Sequence, residues 1–199
     1  MSSPARTPWP DAGQDQRVFL HNVSWKQYEQ LLELRGEDAA PRMTYLEGEL
    51  ELTSPSSDHE ILKKMIARLL EAYALVKGIR LDGYGSMTMK SRPRARGAEA
   101  DECYMVGGPK RRPDIAIEIV WTHGGLDKLE VYRGLGVREV WLHRNGRIEV
   151  YSLRRNAYFR IPRSAVLPKL DLAHLLRYAT APDQTDAVRR YMNSVRRRK

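Results

Sequence analysis

Apolar side chains recur at the three-to-four-residue spacing of an amphipathic helix in four stretches of the chain. This spacing predicts helices over residues 23–36, 54–78, 126–136 and 168–179. The first helix has Ser24 as its N-cap and ends at Gly36, and the second ends at Gly78, because serine and glycine are typical of these termini. Ser57 or Asp58 can cap the second helix.

Alternating apolar and polar positions predict strands between these helices. The strand segments are residues 42–55, a hairpin; 79–91, one strand bent at its glycines; 99–108; 113–122; and 137–161, two or three strands. Asn145 and Gly146, in the last segment, form a strong hairpin signal. The stretch between residues 91 and 99 is predicted to be a basic loop.

The order of these elements predicts an α/β fold. The strand at 113–122, the helix at 126–136 and the strand after it suit a parallel crossover unit. We therefore expect a mixed β-sheet flanked by helices, with a helix and a β-hairpin on its N-terminal side. We assign residues 1–17 to a flexible leader, 18–182 to a single domain and 183–199 to a basic C-terminal tail.

Composition narrows the class of protein. With 42% hydrophobic and 30% charged residues, the 199-residue chain is typical of a soluble globular protein. It contains no apolar run of about 18 residues, so we expect no membrane span. The polar N-terminus lacks the apolar segment of a signal peptide, and Cys103 has no second cysteine to pair with, so we expect a cytoplasmic protein.

The charge balance indicates an anionic partner. The net charge is +9 and the isoelectric point is about 9.8, values that favour binding to nucleic acid. Part of the excess lies in the tail, which can also be a solvated basic end. A second basic group lies inside the domain and is the candidate phosphate-binding surface: Lys90, Arg92, Arg94, Arg96, Arg111 and Arg112.

Glu118 is an acid in a strand that should be buried. In the segment DIAIEIVW, three isoleucines point to one face, whereas Glu118 shares the other face with small apolar residues. A buried carboxylate is costly unless it is paired, protonated or bound to a metal. Pairing with an arginine or lysine of a covering helix is the structural explanation, and a functional role is the alternative.

A second acid, Asp101, favours the functional explanation. It begins the preceding strand segment, and antiparallel pairing of consecutive strands would bring it near Glu118. Two neighbouring carboxylates repel each other, and a divalent cation relieves that repulsion. Oxygen ligands without a cluster of Cys or His side chains suit Mg²⁺ or Mn²⁺ rather than zinc.

Two further charged residues, Lys128 and Asp114, lie near Glu118 in the sequence. Lys128, on the following helix, could reach back over the sheet, orient a water and offset charge on a phosphate; the alternative is an exposed helix lysine. Asp114 lies four residues before Glu118 on one strand, which places the two about 13 Å apart, too far for one metal ion. We expect Asp114 to cap the strand or to contact Arg111 or Arg112.

Four segments carry a resemblance to a known family: TYLEGELELTSPSSDHE, EADECYMV, PDIAIEIVWTHGGLDKLEVYRGLGVREVWLH and RIEVYSL. Their order and spacing resemble the Uma family of putative restriction endonucleases, a branch of the PD-(D/E)xK nuclease superfamily. The resemblance covers residues 42–153. It implies a restriction-endonuclease-like core with metal-binding acids on adjacent strands, and an endonuclease that hydrolyses phosphodiester bonds, with DNA as the expected substrate.

The resemblance also implies roles for individual residues. Asp101 and Glu118 would hold Mg²⁺, and the backbone carbonyl of Ile119 would add a ligand. Lys128 matches the lysine of the family's helix and would assist catalysis. Glu60, at the start of the long helix, matches an acid that completes the metal site in many nucleases of the superfamily, and His59 beside it is a secondary candidate.

Departures from the family pattern bear on activity. Val120 lies two residues after the second acid, where the superfamily usually has its lysine and where similar family members often have an acid. Either the lysine's role moves to Lys128, or the enzyme is weak or inactive. Ala100 stands where a proline is usual, which affects only backbone stiffness.

Three functional hypotheses follow. The first is a metal-dependent endonuclease, the second is a catalytically inactive module that binds nucleic acid or another partner on the same fold, and the third is a buried ion cluster with a structural role. Many nucleases of this superfamily are dimers, and the RIEVY segment at residues 147–151 is a candidate homodimer interface. Four aromatic side chains are expected in the core: Trp121, Trp141, Tyr132 and Tyr151.

Overall fold

The computed structural model describes residues 14–38, 40–121 and 125–198. Most of the predicted leader and part of the predicted strand-to-helix turn, residues 122–124, lie outside these ranges. The helices are α1 (Trp25–Arg35), α2 (Ser57–Lys77), α3 (Lys128–Leu135), α4 (Leu172–Ala179) and α5 (Gln184–Arg197). The strands are β1 (Gln16–Leu20), β2 (Arg42–Leu46), β3 (Glu49–Ser54), β4 (Leu81–Gly83), β5 (Thr88–Ser91), β6 (Arg96–Glu99), β7 (Glu102–Val106), β8 (Ile115–Ile119), β9 (Glu139–Arg144), β10 (Arg147–Arg154) and β11 (Ala157–Ile161).

The described strands form two sheets. A five-stranded sheet has the order β1-β3-β2-β6-β5, and all of its neighbours are antiparallel. A six-stranded sheet has the order β11-β10-β9-β8-β7-β4, and in it β8 and β9 are parallel. The predicted α/β fold with a mixed sheet is confirmed, and an antiparallel sheet that the strand pattern did not predict accompanies it.

Two predicted segments divide between these sheets. The segment 79–91, predicted as one bent strand, contains β4 of the six-stranded sheet and β5 of the five-stranded sheet. The predicted loop before residue 99 contains β6 of the five-stranded sheet, and the chain then enters the six-stranded sheet as β7. Alternating side chains indicate extended backbone, but they do not indicate which distant strand will pair with it.

The crossover unit of β8, α3 and β9 is confirmed, and it gives the six-stranded sheet two different faces. The three isoleucines of β8 pack with apolar residues of α2, α4 and α5. Ala116, on the other face, packs with Val131 and Leu135 of α3. Glu118 follows Ala116 by two residues, so its side chain lies on the α3 side, as the alternation predicted.

Capping residues explain where the helices begin and end. Ser24 caps α1 as predicted, and Ser56 caps α2 one residue before the predicted position. Gly78 and Gly136 adopt left-handed conformations at the ends of α2 and α3. Within the described ranges, none of these helices is long and apolar enough to cross a membrane.

Both ends of the folded chain differ from the prediction. Strand β1 begins at Gln16, inside the predicted leader, and pairs with β3. The predicted basic tail is largely helix α5, because Ala187, Tyr191 and Val195 recur every four residues and are buried. They belong to the same apolar cluster as residues of α2 and α4, so α5 is part of the core.

Candidate active site

Asp101 and Glu118 lie where the chain passes from the five-stranded to the six-stranded sheet. Asp101 lies between β6 and β7, and the antiparallel register pairs Glu102 with Ile117, which places Asp101 beside Glu118. Both side chains are 5% exposed. They line one cavity of about 320 Å³ at the carboxyl end of the parallel strands β8 and β9.

Both carboxylate oxygens of Asp101 have partners. The backbone N–H of Ile119 donates to Oδ2 at 2.6 Å. The Arg42 guanidinium donates to Oδ1, and Nε2 of His59 lies 3.0 Å from the same oxygen. The Asp101 carboxylate is therefore fixed to strand β8 on one side and to buried basic groups on the other.

Glu118 is held by side chains from α3. Tyr132 donates its hydroxyl hydrogen to Oε1, and Lys128 Nζ lies 3.4 Å from Oε2 and donates to Thr44 Oγ1 at 2.8 Å. Burial and the adjacent carboxylate raise the pKa of Tyr132 well above its ordinary value, so this phenol stays a donor. Lys128 is 18% exposed and is not a surface lysine. Val120 also lines the cavity.

Glu60 reaches this network only through Arg42. Its carboxylate is 43% exposed and lies 2.5 Å from Lys63 and 2.6 Å from Arg42, which also contacts Asp101. Burial acts to raise the pKa of Glu60, but the hydrogen bond from Lys63 and the nearby guanidinium outweigh it, so the net shift is downward. Glu60 is absent from the described lining of the cavity.

Two residues of this network, Asp15 and Arg42, were not predicted to take part in it, and a third, His59, was only a secondary candidate beside Glu60. His59 is 3% exposed, and its Nδ1 lies 2.9 Å from Asp15 Oδ2. The available signal was that His59 lies on the apolar stripe of α2. Asp15 falls in the predicted leader, and Arg42 is the polar first residue of the predicted hairpin, so neither position carried a signal of burial.

The cavity carries more acid than base, although the whole chain is basic. Six carboxylates line it against four arginine or lysine side chains and one histidine: Asp15, Glu51, Glu99, Asp101, Glu118 and Asp127 against Arg17, Arg42, Lys128, Arg144 and His59. Such a surplus favours a bound cation. Among the described residues, no three Asp, Glu, His or Cys side chains are grouped to hold a metal ion. The pair of carboxylates still fits Mg²⁺, which commonly binds through one or two carboxylates and keeps several waters.

Asp114 has a structural position, as the spacing predicted. It is buried at the start of β8, and its Oδ2 accepts hydrogen bonds from the Val106 amide at 2.8 Å and from Lys110 Nζ at 2.6 Å. Its basic partners are thus Lys110 and, at 4.0 Å, Arg138, rather than Arg111 or Arg112. Asp114 is not among the described residues that line the cavity.

Comparison with known proteins identifies the family. The family described as Uma2, putative restriction endonuclease, matches residues 25–178. The chain belongs to the Uma2 family. A crystal structure of a putative nuclease belonging to DUF820, from Anabaena variabilis, is 14% identical with a TM-score of 0.52, and the match covers 72% of this chain and 96% of that one. At this identity the similarity shows the fold alone. A search of curated proteins finds no match.

In this Uma2 protein, part of the predicted phosphate-binding surface lies away from the cavity. Arg94 donates to the Gly134 carbonyl at 3.1 Å, and the Arg112 guanidinium lies against Gly136, so both arginines lie at the C-terminal end of α3. Lys128 and the cavity lie at the N-terminal end of the same helix. None of the six predicted residues is among the described residues that line the cavity: Lys90, Arg92, Arg94, Arg96, Arg111 and Arg112.

Arg96 differs from the rest of this predicted surface because it is buried. Its side chain forms ion pairs with Glu47 at 2.9 Å and with Glu130 at 2.7 Å. The structure thus gives Arg96 a packing role between β6 and α3 instead of the predicted contact with phosphate. The other five basic residues are exposed.

Trp121 was predicted to lie in the core, but the structure shows that it is not buried. Trp141 and Tyr132 are fully buried, but Trp121 is 44% exposed and lines the cavity. Its ring packs edge-on against His143, with ring centroids 6.3 Å apart. The reason is that β8 ends at Ile119, so Trp121 lies beyond the covered part of the sheet.

The predicted dimer segment lies inside the six-stranded sheet. Strand β10, which contains RIEVY, pairs with β9 on one edge and with β11 on the other. The pairing with β11 begins at Val150, so within RIEVY only the backbone of Val150 and Tyr151 is paired on both edges.

Proposed function

We propose that the protein is a Mg²⁺-dependent endonuclease that hydrolyses phosphodiester bonds in DNA. The observation that carries the proposal is the buried pair of Asp101 and Glu118 in an acidic cavity, with Lys128 Nζ 3.4 Å from Glu118. Membership of the Uma2 family and the nuclease-like fold support it. Mn²⁺ suits the same oxygen ligands and is the second candidate cation.

Asp101, Glu118 and the backbone carbonyl of Ile119 are the groups that would hold the cation. When bound, a divalent cation lowers the pKa of a water ligand and neutralises charge on the phosphate. The chain positions Asp101 for this task, because the Ile119 N–H holds one oxygen and Arg42 and His59 lie against the other.

Lys128 would provide a positive charge at a fixed place. Thr44 accepts a hydrogen bond from its ammonium at 2.8 Å, and the Glu118 carboxylate partly balances its charge. An ammonium held there would orient the attacking water and offset the negative charge that builds on the phosphate during in-line attack. Tyr132 donates to the other oxygen of Glu118 and so fixes the orientation of the carboxylate.

Plasmid cleavage tests the proposal. The purified protein should nick or cut DNA with Mg²⁺ or Mn²⁺ but not with EDTA, and Glu118→Gln should leave less than about one-hundredth of the rate. Asp114→Asn is the matched control, because it neutralises a buried acid of the same strand segment outside the cavity. Thermal denaturation first establishes that both variants are folded. Equal losses in the two variants, or full activity of Glu118→Gln, would contradict the assignment.

A Lys128→Met variant separates catalysis from structure. If the ammonium stabilises charge on the phosphate, the variant should cleave about 100-fold more slowly while Lys128→Arg keeps part of the rate. If the buried charged residues around Glu118 serve only to hold the fold, the Lys128→Met variant should cleave DNA like the wild type. The measurement is the initial rate of plasmid nicking at saturating Mg²⁺.

A catalytically inactive module that binds nucleic acid is the second candidate. Two observations favour it: Val120 occupies the usual lysine position, and the Arg42 guanidinium forms an ion pair with Asp101 that balances the charge of this carboxylate. Such a module would bind DNA with a salt-dependent affinity but show no metal-dependent cleavage. Mn²⁺ would also leave its melting temperature unchanged, whereas a metal-binding nuclease should be stabilised.

A further inference from the structure

A second groove, of about 790 Å³, borders the β9–β10 turn, which also borders the acidic cavity. Its walls come from the turn between β9 and β10, from the segment that follows β11, and from the first part of α4. Four basic side chains line it: Arg147, Arg163, Lys169 and Arg177. We call these residues and the space between them the basic groove.

The four basic side chains of the groove are available to bind an anion. All four are exposed, and none forms an ion pair with another residue in the described part of the chain. The one acid among the described lining residues is Asp171, which is already paired with Arg198 at 2.9 Å. The basic groove is therefore strongly positive, in contrast to the acidic cavity.

The hairpin turn between β9 and β10 connects the two sites. Arg144 and Asn145 line the acidic cavity, whereas Gly146 and Arg147 line the basic groove. Consecutive Cα atoms are about 3.8 Å apart, so one peptide bond separates the last residue of one lining from the first of the other. Successive phosphates of one DNA strand are spaced about 3.4 Å along the helix axis, so a bound strand would cross this turn within a few nucleotides.

We propose that the basic groove binds the phosphate backbone of the DNA whose scissile phosphate occupies the acidic cavity. The proposal deepens and rests on the proposed nuclease function. It assigns phosphate binding to Arg147, Arg163, Lys169 and Arg177 rather than to the exposed residues of the loop that the sequence favoured, of which Arg94 and Arg112 lie at the far end of α3. Arg144, exposed at the rim of the cavity, continues the positive surface across the turn.

A salt series of DNA affinities tests the groove. In the absence of divalent cations, the double variant Arg163→Gln/Lys169→Gln should bind a DNA duplex roughly ten-fold more weakly than the wild type at 0.1 M salt. The slope of log affinity against log salt concentration should also be smaller in magnitude by about 1.8, because each lost phosphate contact contributes about 0.9 to that slope. Lys90→Gln/Arg92→Gln is the matched control, because it removes the same charge from the predicted loop and should bind like the wild type.

Hydrolysis of a small phosphodiester, bis(4-nitrophenyl) phosphate, separates the groove from the chemistry. This substrate occupies only the acidic cavity, so the groove variant should hydrolyse it at the wild-type rate while cutting plasmid DNA more slowly.

If the groove variant binds DNA like the wild type, or no more weakly than the loop variant, the groove proposal fails although the nuclease proposal can stand. If the groove variant binds weakly but the wild type cleaves neither substrate, the nuclease proposal fails, and with it the placement of a scissile phosphate in the cavity, while the groove stands only as a DNA-binding surface. Tighter binding of an RNA duplex than of DNA would overturn the choice of partner.

Discussion

At the scale of single residues, His59 links the candidate ligand Asp101 to a distant part of the chain. Its two ring nitrogens lie 2.9 Å from Asp15 Oδ2 and 3.0 Å from Asp101 Oδ1. Asp15 also accepts a hydrogen bond from the Ser56 amide at 2.9 Å. Burial acts to raise the pKa of Asp15, but the hydrogen bonds from His59 and Ser56 outweigh it, so the net shift is downward. The segment before β1 thus helps to orient a candidate metal ligand.

A double-mutant cycle should show that Asp15 acts through His59. We expect His59→Gln and Asp15→Asn each to slow plasmid cleavage by about 10-fold, the loss typical of a residue that orients a metal ligand. The double variant should be no slower than His59→Gln alone, because Asp15 has no effect on Asp101 once the imidazole is gone. Losses that multiply would show that the two residues act independently. Initial rates at saturating Mg²⁺ provide the comparison.

At the scale of elements, a second set of ion pairs, formed by Arg96, Glu130 and Arg133, holds α3 against the five-stranded sheet. Arg96 of β6 lies 2.7 Å from Glu130 of α3, and Arg133 lies 2.6 Å from the same oxygen of that carboxylate. These contacts lower the pKa of Glu130 to about 2, and the hydrogen bond from Arg133 has the largest effect. These ion pairs help to position the candidate active site, because α3 carries Lys128 and Tyr132, the two side chains that contact Glu118.

The stability that Glu130 contributes should depend on pH. Glu130→Gln should lower the free energy of unfolding at pH 7 by about 1 kcal/mol, a small value because solvent screens a carboxylate that is one-third exposed. The pKa falls from 4.5 to about 2 on folding, so this contribution is present above pH 4.5 and is lost as the pH falls toward 2. In urea denaturation, the difference between wild type and variant should shrink over that range.

The exposed ion pair of Glu29 with Lys90 provides a control for this measurement. Glu29→Gln should change the free energy of unfolding by less than about 0.5 kcal/mol at any pH. A difference between wild type and Glu130→Gln that stays constant down to pH 2 would show that the loss comes from packing and not from charge.

Local signals predicted the elements better than they predicted the assembly of those elements. Ser24, Gly78 and the Asn145–Gly146 turn act through neighbouring backbone groups, so their effects can be read from the sequence. The split of residues 79–91 between two sheets depends on partners far along the chain, which alternation does not reveal. The positions of Glu118 and Lys128 followed from one crossover unit, whereas the network through Arg42 joins three separate elements and gave no sequence signal.

At the scale of the whole molecule, the candidate active site lies at the junction of the two sheets. Arg42 and Glu51 belong to the five-stranded sheet, Glu118 belongs to the six-stranded sheet, and Asp101 lies on the connection between them. The cavity therefore forms only when both sheets are packed together. Acidic side chains predominate in this cavity and basic ones in the groove beyond the β9–β10 turn, so a chain of net charge +9 can still enclose an acidic site. Under the proposed function, the cavity would bind the cation and the groove would bind the phosphates.

Helix α5 should support the fold as a packed element and not as a solvated tail. Tyr191 is 1% exposed, and its ring lies 5.4 Å from that of His174 and 5.3 Å from that of Tyr178. Tyr191→Ala should lower the free energy of unfolding by about 3 kcal/mol, because it leaves a cavity between α2, α4 and α5. Arg189→Ala, an exposed position of the same helix, should change it by less than about 0.5 kcal/mol.

Urea denaturation followed by circular dichroism distinguishes the packed helix from the tail that the basic composition suggested. A Tyr191→Ala variant as stable as Arg189→Ala would mean that residues 184–197 do not pack on the core in solution. A loss of about 3 kcal/mol, without loss of plasmid cleavage at low temperature, would show that α5 stabilises the domain without contributing to the site. That second outcome is the one we expect, because the described lining of the acidic cavity contains no residue of α5.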